Sequence, residues 1–115
     1  MTLSDLEQTH ARLLALRAEL EEESAASAQS RAPVTLDQQS VGRLSRMDAM
    51  AGQNMAAAAE RARQAMMVKI DSALRRLDDG DYGFCRECDE PIAPNRLEAD
   101  PTASLCIACQ GARER

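Results

Sequence analysis

Every cysteine of this 115-residue chain lies in one stretch, CRECDEPIAPNRLEADPTASLCIAC, from Cys85 to Cys109. The four form two Cys-x-x-Cys pairs, Cys85 with Cys88 and Cys106 with Cys109, separated by seventeen residues. A redox Cys-x-x-Cys sits on a strand–helix unit, and the chain shows no βαβ pattern. Structural disulfides are rare in the cytoplasm. The opening MTLSDLEQTH lacks a basic start followed by an apolar block, so no secretory signal is expected and the cytoplasm is the expected location. Two Cys-x-x-Cys turns at this spacing fit a tetrahedral zinc site, each turn bringing two sulfurs to one ion. Iron held by the same four thiolates is the alternative metal.

Catalytic zinc keeps one coordination position open for water, and four cysteines leave none. The expected ion is therefore a single structural Zn²⁺, bound by Cys85, Cys88, Cys106 and Cys109. His10, the only histidine, falls in a helical segment, and no grouping of serine, histidine and carboxylate is identifiable. No enzymatic activity is expected. A segment with so few apolar residues folds because metal binding contributes on the order of 10 kcal/mol.

The elements that must carry this site are helical. Aromatic content is 2%, Tyr82 and Phe84 being the whole of it, so the apolar residues are mainly Ala, Leu and Met, strong helix formers. No apolar run approaches the roughly 20 residues needed to cross a bilayer, and no membrane association is expected. Leu6, Leu13 and Leu20, with Leu3 and Leu16, predict a helix over about 4–25, opened by a Ser4–Glu7 capping box. SAASAQSRAPV, ending in Pro33 and Val34, predicts a loop at about 26–35. Thr35 and Gln38 suggest a second capping box and a long helix over about 36–78. Its expected apolar stripe is Leu44, Met47, Ala51, Met55, Ala58, Ala62, Met66, Ile70, Ala73 and Leu77, and Gly80 is its expected stop. The fold class is mainly α: an antiparallel two-helix coiled-coil hairpin over 1–78, then a four-cysteine zinc module over 79–115 with a short C-terminal helix. The first helix is too short to cover the stripe over 58–77, which the cysteine module is expected to bury; a monomer is expected ahead of a dimer.

Net charge is −5, and it is unevenly placed. Residues 1–77 carry ten acidic and ten basic side chains, whereas residues 78–115 carry nine acidic and four basic. Duplex DNA is bound by neutralising phosphates with Lys and Arg, so direct DNA binding by the acidic cysteine-bearing end is not expected.

Over residues 69–109 the strings GDYGFC, CDEPI and RLEADPTASLCIAC, after a helix ending in acids, resemble the DksA/TraR family of bacterial transcription regulators. The resemblance implies a coiled-coil hairpin on a small body built around a four-cysteine zinc site. It implies direct binding to RNA polymerase through the secondary channel, with acidic residues at the hairpin tip approaching the catalytic centre, in some members together with ppGpp. The tip string Asp-x-x-Asp-x-Ala of the DksA branch is absent; Asp37 is the nearest candidate and Asp48 the next, although Asp37 also suits a first-turn acid facing the helix dipole. Lys69 matches a basic position used for ppGpp, but Asp100 and Gln110 stand where two further cations are expected. The ppGpp response is expected to be weak or absent. Two other readings compete: a helical interaction module that dimerises through the 58–77 stripe, and a nucleic-acid-binding zinc ribbon, which the acidity opposes.

Overall fold

The computed structural model describes residues 1–31 and 43–114. Four helices follow in order: α1 Leu3–Arg31, α2 Arg43–Asp79, α3 Pro94–Ala99 and α4 Ile107–Arg113. A single antiparallel bridge, Phe84 to Pro91, is the extended pairing among the described residues. The mainly helical class with a short C-terminal helix is as expected. The rest of the expected loop, Asp37, the second capping box and the first part of the long helix lie outside the described residues.

The capping box of α1 is set two residues earlier than expected. Thr2 donates its backbone N–H to the Asp5 carboxylate at 3.0 Å, and Asp5 returns its N–H to the Thr2 hydroxyl at 3.1 Å. Thr2 immediately precedes the first helical residue, so its side chain reaches the third amide, whereas Ser4 is already inside the helix. At the other end α1 continues to Arg31, six residues past the expected 25. Pro33 restricts its immediate neighbour but not residues further upstream, and the Ala and Ser of SAASAQS tolerate helix.

The helix α2 stops where expected. Gly80 adopts φ +79°, Asp81 donates its N–H to the Arg76 carbonyl at 2.9 Å and Gly80 donates to Leu77 at 3.4 Å. This is the paired Schellman arrangement that satisfies the last carbonyls.

The chain divides into two compact units. One comprises Met1–Arg17 with Met67–Arg115, so the first turns of α1 and the last turns of α2 belong with the cysteine module. Its core is Leu13, Met67, Ile70, Ala73, Tyr82, Cys85, Ile92, Leu97, Ala103 and Leu105. Ile70 and Ala73 are buried within this unit, whereas Ala58, Ala62 and Met66, which the cysteine module was also expected to bury, are exposed. Polar bonds tie this unit together: Arg17 grips Asp71 with Nε–Oδ1 2.8 Å and Nη2–Oδ2 3.1 Å, and Arg12 Nη1 donates to the Glu98 carbonyl at 2.6 Å.

The other unit, Ala18–Met66, pairs the remainder of α1 with the remainder of α2. Its inner contacts are polar. Ser24 Oγ donates to Glu60 Oε2 at 2.6 Å, Arg63 Nη2 donates to Ser27 Oγ at 2.8 Å, and Arg63 Nε meets Glu60 Oε1 at 2.9 Å. Here the expected stripe is corrected. Met47, Ala51, Met55, Ala58, Ala62 and Met66 are exposed, while the partly covered positions are Arg46, Ala49, Gln53, Ala56, Ala57, Glu60 and Arg63. Ala57 apart, these positions step by three and four in alternation and continue to Met67 and Ile70, a period of about 3.5 residues. The apolar stripe steps by about 3.7 and drifts away from that seam.

Candidate metal centre

Each half of the four-cysteine site is made by a different local device. Before the first pair, Cys85 donates its N–H to the Glu90 carbonyl and Ile92 donates to Gly83, both at 2.8 Å, flanking the Phe84–Pro91 bridge. Between these bonds the chain turns sharply: Asp89 donates its N–H to the Cys85 carbonyl at 2.9 Å and takes φ +63°. That turn folds Cys88 back beside Cys85. The second pair uses a helix start. Cys106 caps α4, its sulfur accepting the Cys109 N–H at 3.4 Å, so Cys109 stands in the first turn. Arg86 donates its N–H to Ser104 at 2.9 Å, joining the two halves.

The segment between the pairs is more ordered than a proline-stiffened loop. Pro94 opens α3, where its missing N–H would have had no partner. Asp100 ends it, accepting from the Thr102 N–H at 3.0 Å and the Thr102 hydroxyl at 2.7 Å. Arg96 Nε donates to the Leu105 carbonyl at 3.0 Å, and Tyr82 donates its hydroxyl to the Pro101 carbonyl at 2.8 Å. The signal for α3 was present in PNRLEA, a proline followed by helix formers.

All four sulfurs lie within 4.8 Å of one another, and Cys88 Sγ is 3.8 Å from Cys106 Sγ across the two pairs. Zinc–sulfur bonds of about 2.3 Å in a tetrahedron demand sulfurs about 3.8 Å apart, so the donor set fits zinc. Cys85 is buried, Cys88 exposed, and Cys106 and Cys109 are half-covered, with all four thiols free of disulfides. Burial opposes ionisation of Cys85, but the N–H groups of Cys106, Cys88 and Glu87 outweigh it and bring its thiol down to about 6. Cys109 is pushed up to about 12, foremost by its hydrogen bonds with the Cys106 and Cys85 sulfurs. Such crowding of thiols is relieved by a divalent cation, which balances their charge and locks both turns.

A family model described as the prokaryotic dksA/traR C4-type zinc finger matches residues 80–115. The segment is a DksA/TraR-type C4 zinc finger. Its metal is structural zinc, since all four donors are cysteines and no position is left open for water. The chain is 52% identical over 50 residues to the RNA polymerase-binding transcription factor DksA of Caulobacter vibrioides, covering 44% of this chain and 35% of the relative. The protein of the same name from Escherichia coli K12 is 44% identical over 45 residues, 39% of this chain and 30% of the relative. The matched stretch thus spans about a third of these relatives. In structure the chain is similar to transcription factor DksA2 from Pseudomonas aeruginosa, with TM-score 0.80 and 27% identity over 99% of this chain and 86% of that one. That solved DksA fold extends the likeness beyond the zinc finger to both long helices.

Asp48 and Lys69 stand exposed on α2. Asp100 is engaged by Thr102, and Gln110 Nε2 donates to Glu114 at 2.9 Å. Among the described residues no helix is long and apolar enough to cross a membrane.

Proposed function

We propose that this chain is a non-catalytic, cytoplasmic regulator of transcription that binds RNA polymerase directly, entering the secondary channel with the tip between α1 and α2. The carrying observation is the 52% identity, across the segment that builds the zinc finger, to a protein named for RNA polymerase binding. The TM-score of 0.80 over 99% of the chain supports the same reading. In this reading residues 1–78 form the hairpin and 79–115 the module that anchors its base, with Cys85, Cys88, Cys106 and Cys109 as the zinc ligands. Asp37 or Asp48 would act near the polymerase active site; Asp48 is suitably exposed.

The ppGpp response is weak or absent in this proposal. Lys69 is exposed, but Asp100 is an acid committed to its own turn and Gln110 carries no charge. Two cations that would bind a polyanion are therefore replaced. The acidity of residues 78–115 disfavours direct DNA binding.

The test is capture of core RNA polymerase by the purified zinc-loaded protein, followed by photocrosslinking from positions 37 and 48. The expected product joins position 37 to the trigger loop of the active site. Failure to retain core polymerase overturns the proposal, whereas retention with crosslinks confined to the polymerase exterior removes the channel mechanism.

A further inference from the structure

The zinc finger gathers acids around a site that is itself negative when loaded. Residues 78–115 carry nine acidic and four basic side chains, a net of −5. Four thiolates on one Zn²⁺ leave two further negative charges, concentrated at the sulfurs. Some of the acid is met locally: Glu87, between Cys85 and Cys88, pairs with Arg113, which stands one turn beyond Cys109 on α4. The charge of the sulfurs calls for cations that no carboxylate has claimed.

Two arginines answer to that description. Arg76, in the last turn of α2, and Arg86, directly after Cys85, line one cleft together with Cys85 itself. Arg76 is half-buried and donates to the Ser72 hydroxyl at 2.7 Å and the Thr102 carbonyl at 3.4 Å, both neutral acceptors. Arg86 donates its backbone N–H to Ser104, but its exposed guanidinium has no hydrogen-bond partner among the described residues. Asp81 and Asp89 line the same cleft, yet among the described residues no ion pair joins either arginine to a carboxylate. Burial, and then the facing charge of Arg86, lower the pKa of Arg76 below its ordinary value. Two cations that repel each other across a cleft are an unfavourable pair unless a negative group stands beside both. The group the chain places there is the Cys85 sulfur. A zinc tetrathiolate carries two negative charges against their two positive ones.

We propose that Arg76 and Arg86 supply the counter-charge of the zinc tetrathiolate and thereby set how tightly the metal is held. One cation belongs to the first cysteine turn and the other arrives from α2, so zinc binding also favours docking of the end of α2 on the module. Neither is a ligand, since four sulfurs fill the coordination sphere; both act on the metal through the sulfurs. Groups one layer outside the ligands commonly change metal affinity by about 10- to 100-fold. The proposal does not depend on polymerase binding.

Competition of the full zinc-loaded chain with a chromophoric chelator at neutral pH tests it. In low salt Arg86→Gln weakens zinc binding by about 3- to 10-fold and Arg76→Gln by about tenfold or more, whereas Arg86→Lys stays within about twofold of the parent chain. Asp89→Asn shifts affinity the other way, to tighter binding. It removes an acid from the cleft, and asparagine still tolerates the left-handed turn. At about 1 M salt, where the screening length is about 3 Å, the deficit of Arg86→Gln largely vanishes. Thiolate-to-metal absorption of the cobalt-substituted variants shows all four sulfurs still bound, so a lost ligand does not mimic a lost charge. Arg86→Gln binding zinc as tightly as the parent overturns the proposal. So does Arg86→Lys losing as much as Arg86→Gln, an Arg86→Gln deficit undiminished at high salt, or weaker binding by Asp89→Asn.

Discussion

Tyr82 donates its hydroxyl to the Pro101 carbonyl oxygen at 2.8 Å, both residues being buried, and so ties the segment before the first cysteine pair to the segment before the second. Tyr82→Phe keeps the ring and removes the donor, leaving the carbonyl without that partner. The expected loss is about 1–2 kcal/mol of unfolding free energy, read from urea denaturation, with zinc content unchanged.

The same bond has a pH signature. Burial pushes the Tyr82 hydroxyl above its ordinary value of 10.0, partly offset by Arg76 and Arg12. The folded state therefore keeps this proton when the unfolded state has begun to lose it. Stability from this group is full below about pH 10 and falls as pH rises through the raised value. As the chain has one tyrosine, absorbance of the tyrosinate reads it directly. The native protein should titrate later than the chain in urea.

Removing the metal should unfold the module while sparing helix elsewhere. Chelation, or Cys106→Ser, withdraws a contribution on the order of 10 kcal/mol from a segment with few apolar residues. The readout is loss of amide protection over 80–113, with α1 and α2 in the Ala18–Met66 unit largely retained.

Zinc affinity should weaken as pH falls, because protons compete for the sulfurs. Because the metal-free module is unfolded, its four thiols start near the ordinary cysteine value of about 8.5 and are largely protonated at pH 7. Calorimetry in buffers of different ionisation enthalpy should show close to four protons displaced per zinc at pH 7, and fewer above about pH 9. Two or fewer protons at pH 7 would contradict binding to an unfolded module.

The left-handed turn at Asp89, φ +63°, costs most residues about 1–2 kcal/mol, and aspartate less. Asp89→Ala should destabilise the zinc-bound protein by about 1 kcal/mol, and Asp89→Gly should be neutral or slightly stabilising. Thermal unfolding of the three proteins side by side makes the comparison.

Within the Ala18–Met66 unit, Glu60 and Arg63 are only 13% and 16% exposed and share their bonds with Ser24 and Ser27. Glu60→Ala strands a largely covered guanidinium and should cost about 2–4 kcal/mol. Glu60→Leu with Arg63→Leu should recover most of it, since replacing a covered ion pair with apolar side chains is often neutral. Denaturant midpoints of both variants decide whether the polar seam stabilises the pair of helices.

Much of this protein was legible in its residue order. Two Cys-x-x-Cys pairs announce a tetrahedral zinc site because ligand chemistry is local, and each turn presents its sulfurs with little help from the rest of the chain. Gly80 announced the end of α2 for the same reason: a left-handed residue is a local steric matter. The helical class followed from leucine spacing and the near absence of aromatics.

Tertiary contacts decided the rest. Nothing in PIAPNRLEADPTASL by itself says that Tyr82 will reach Pro101 or that Arg96 will hold Leu105, since these partners are 19 and 9 residues apart. The face of α2 turned toward α1 also could not be read from hydrophobicity, which selects Met47, Met55 and Met66. The structure instead covers Glu60 and Arg63, because serines on α1 stand ready to pair with them and a two-helix seam favours a repeat near 3.5 residues. Apolar spacing reports which side chains prefer to leave water; only the packed chain decides which of them do.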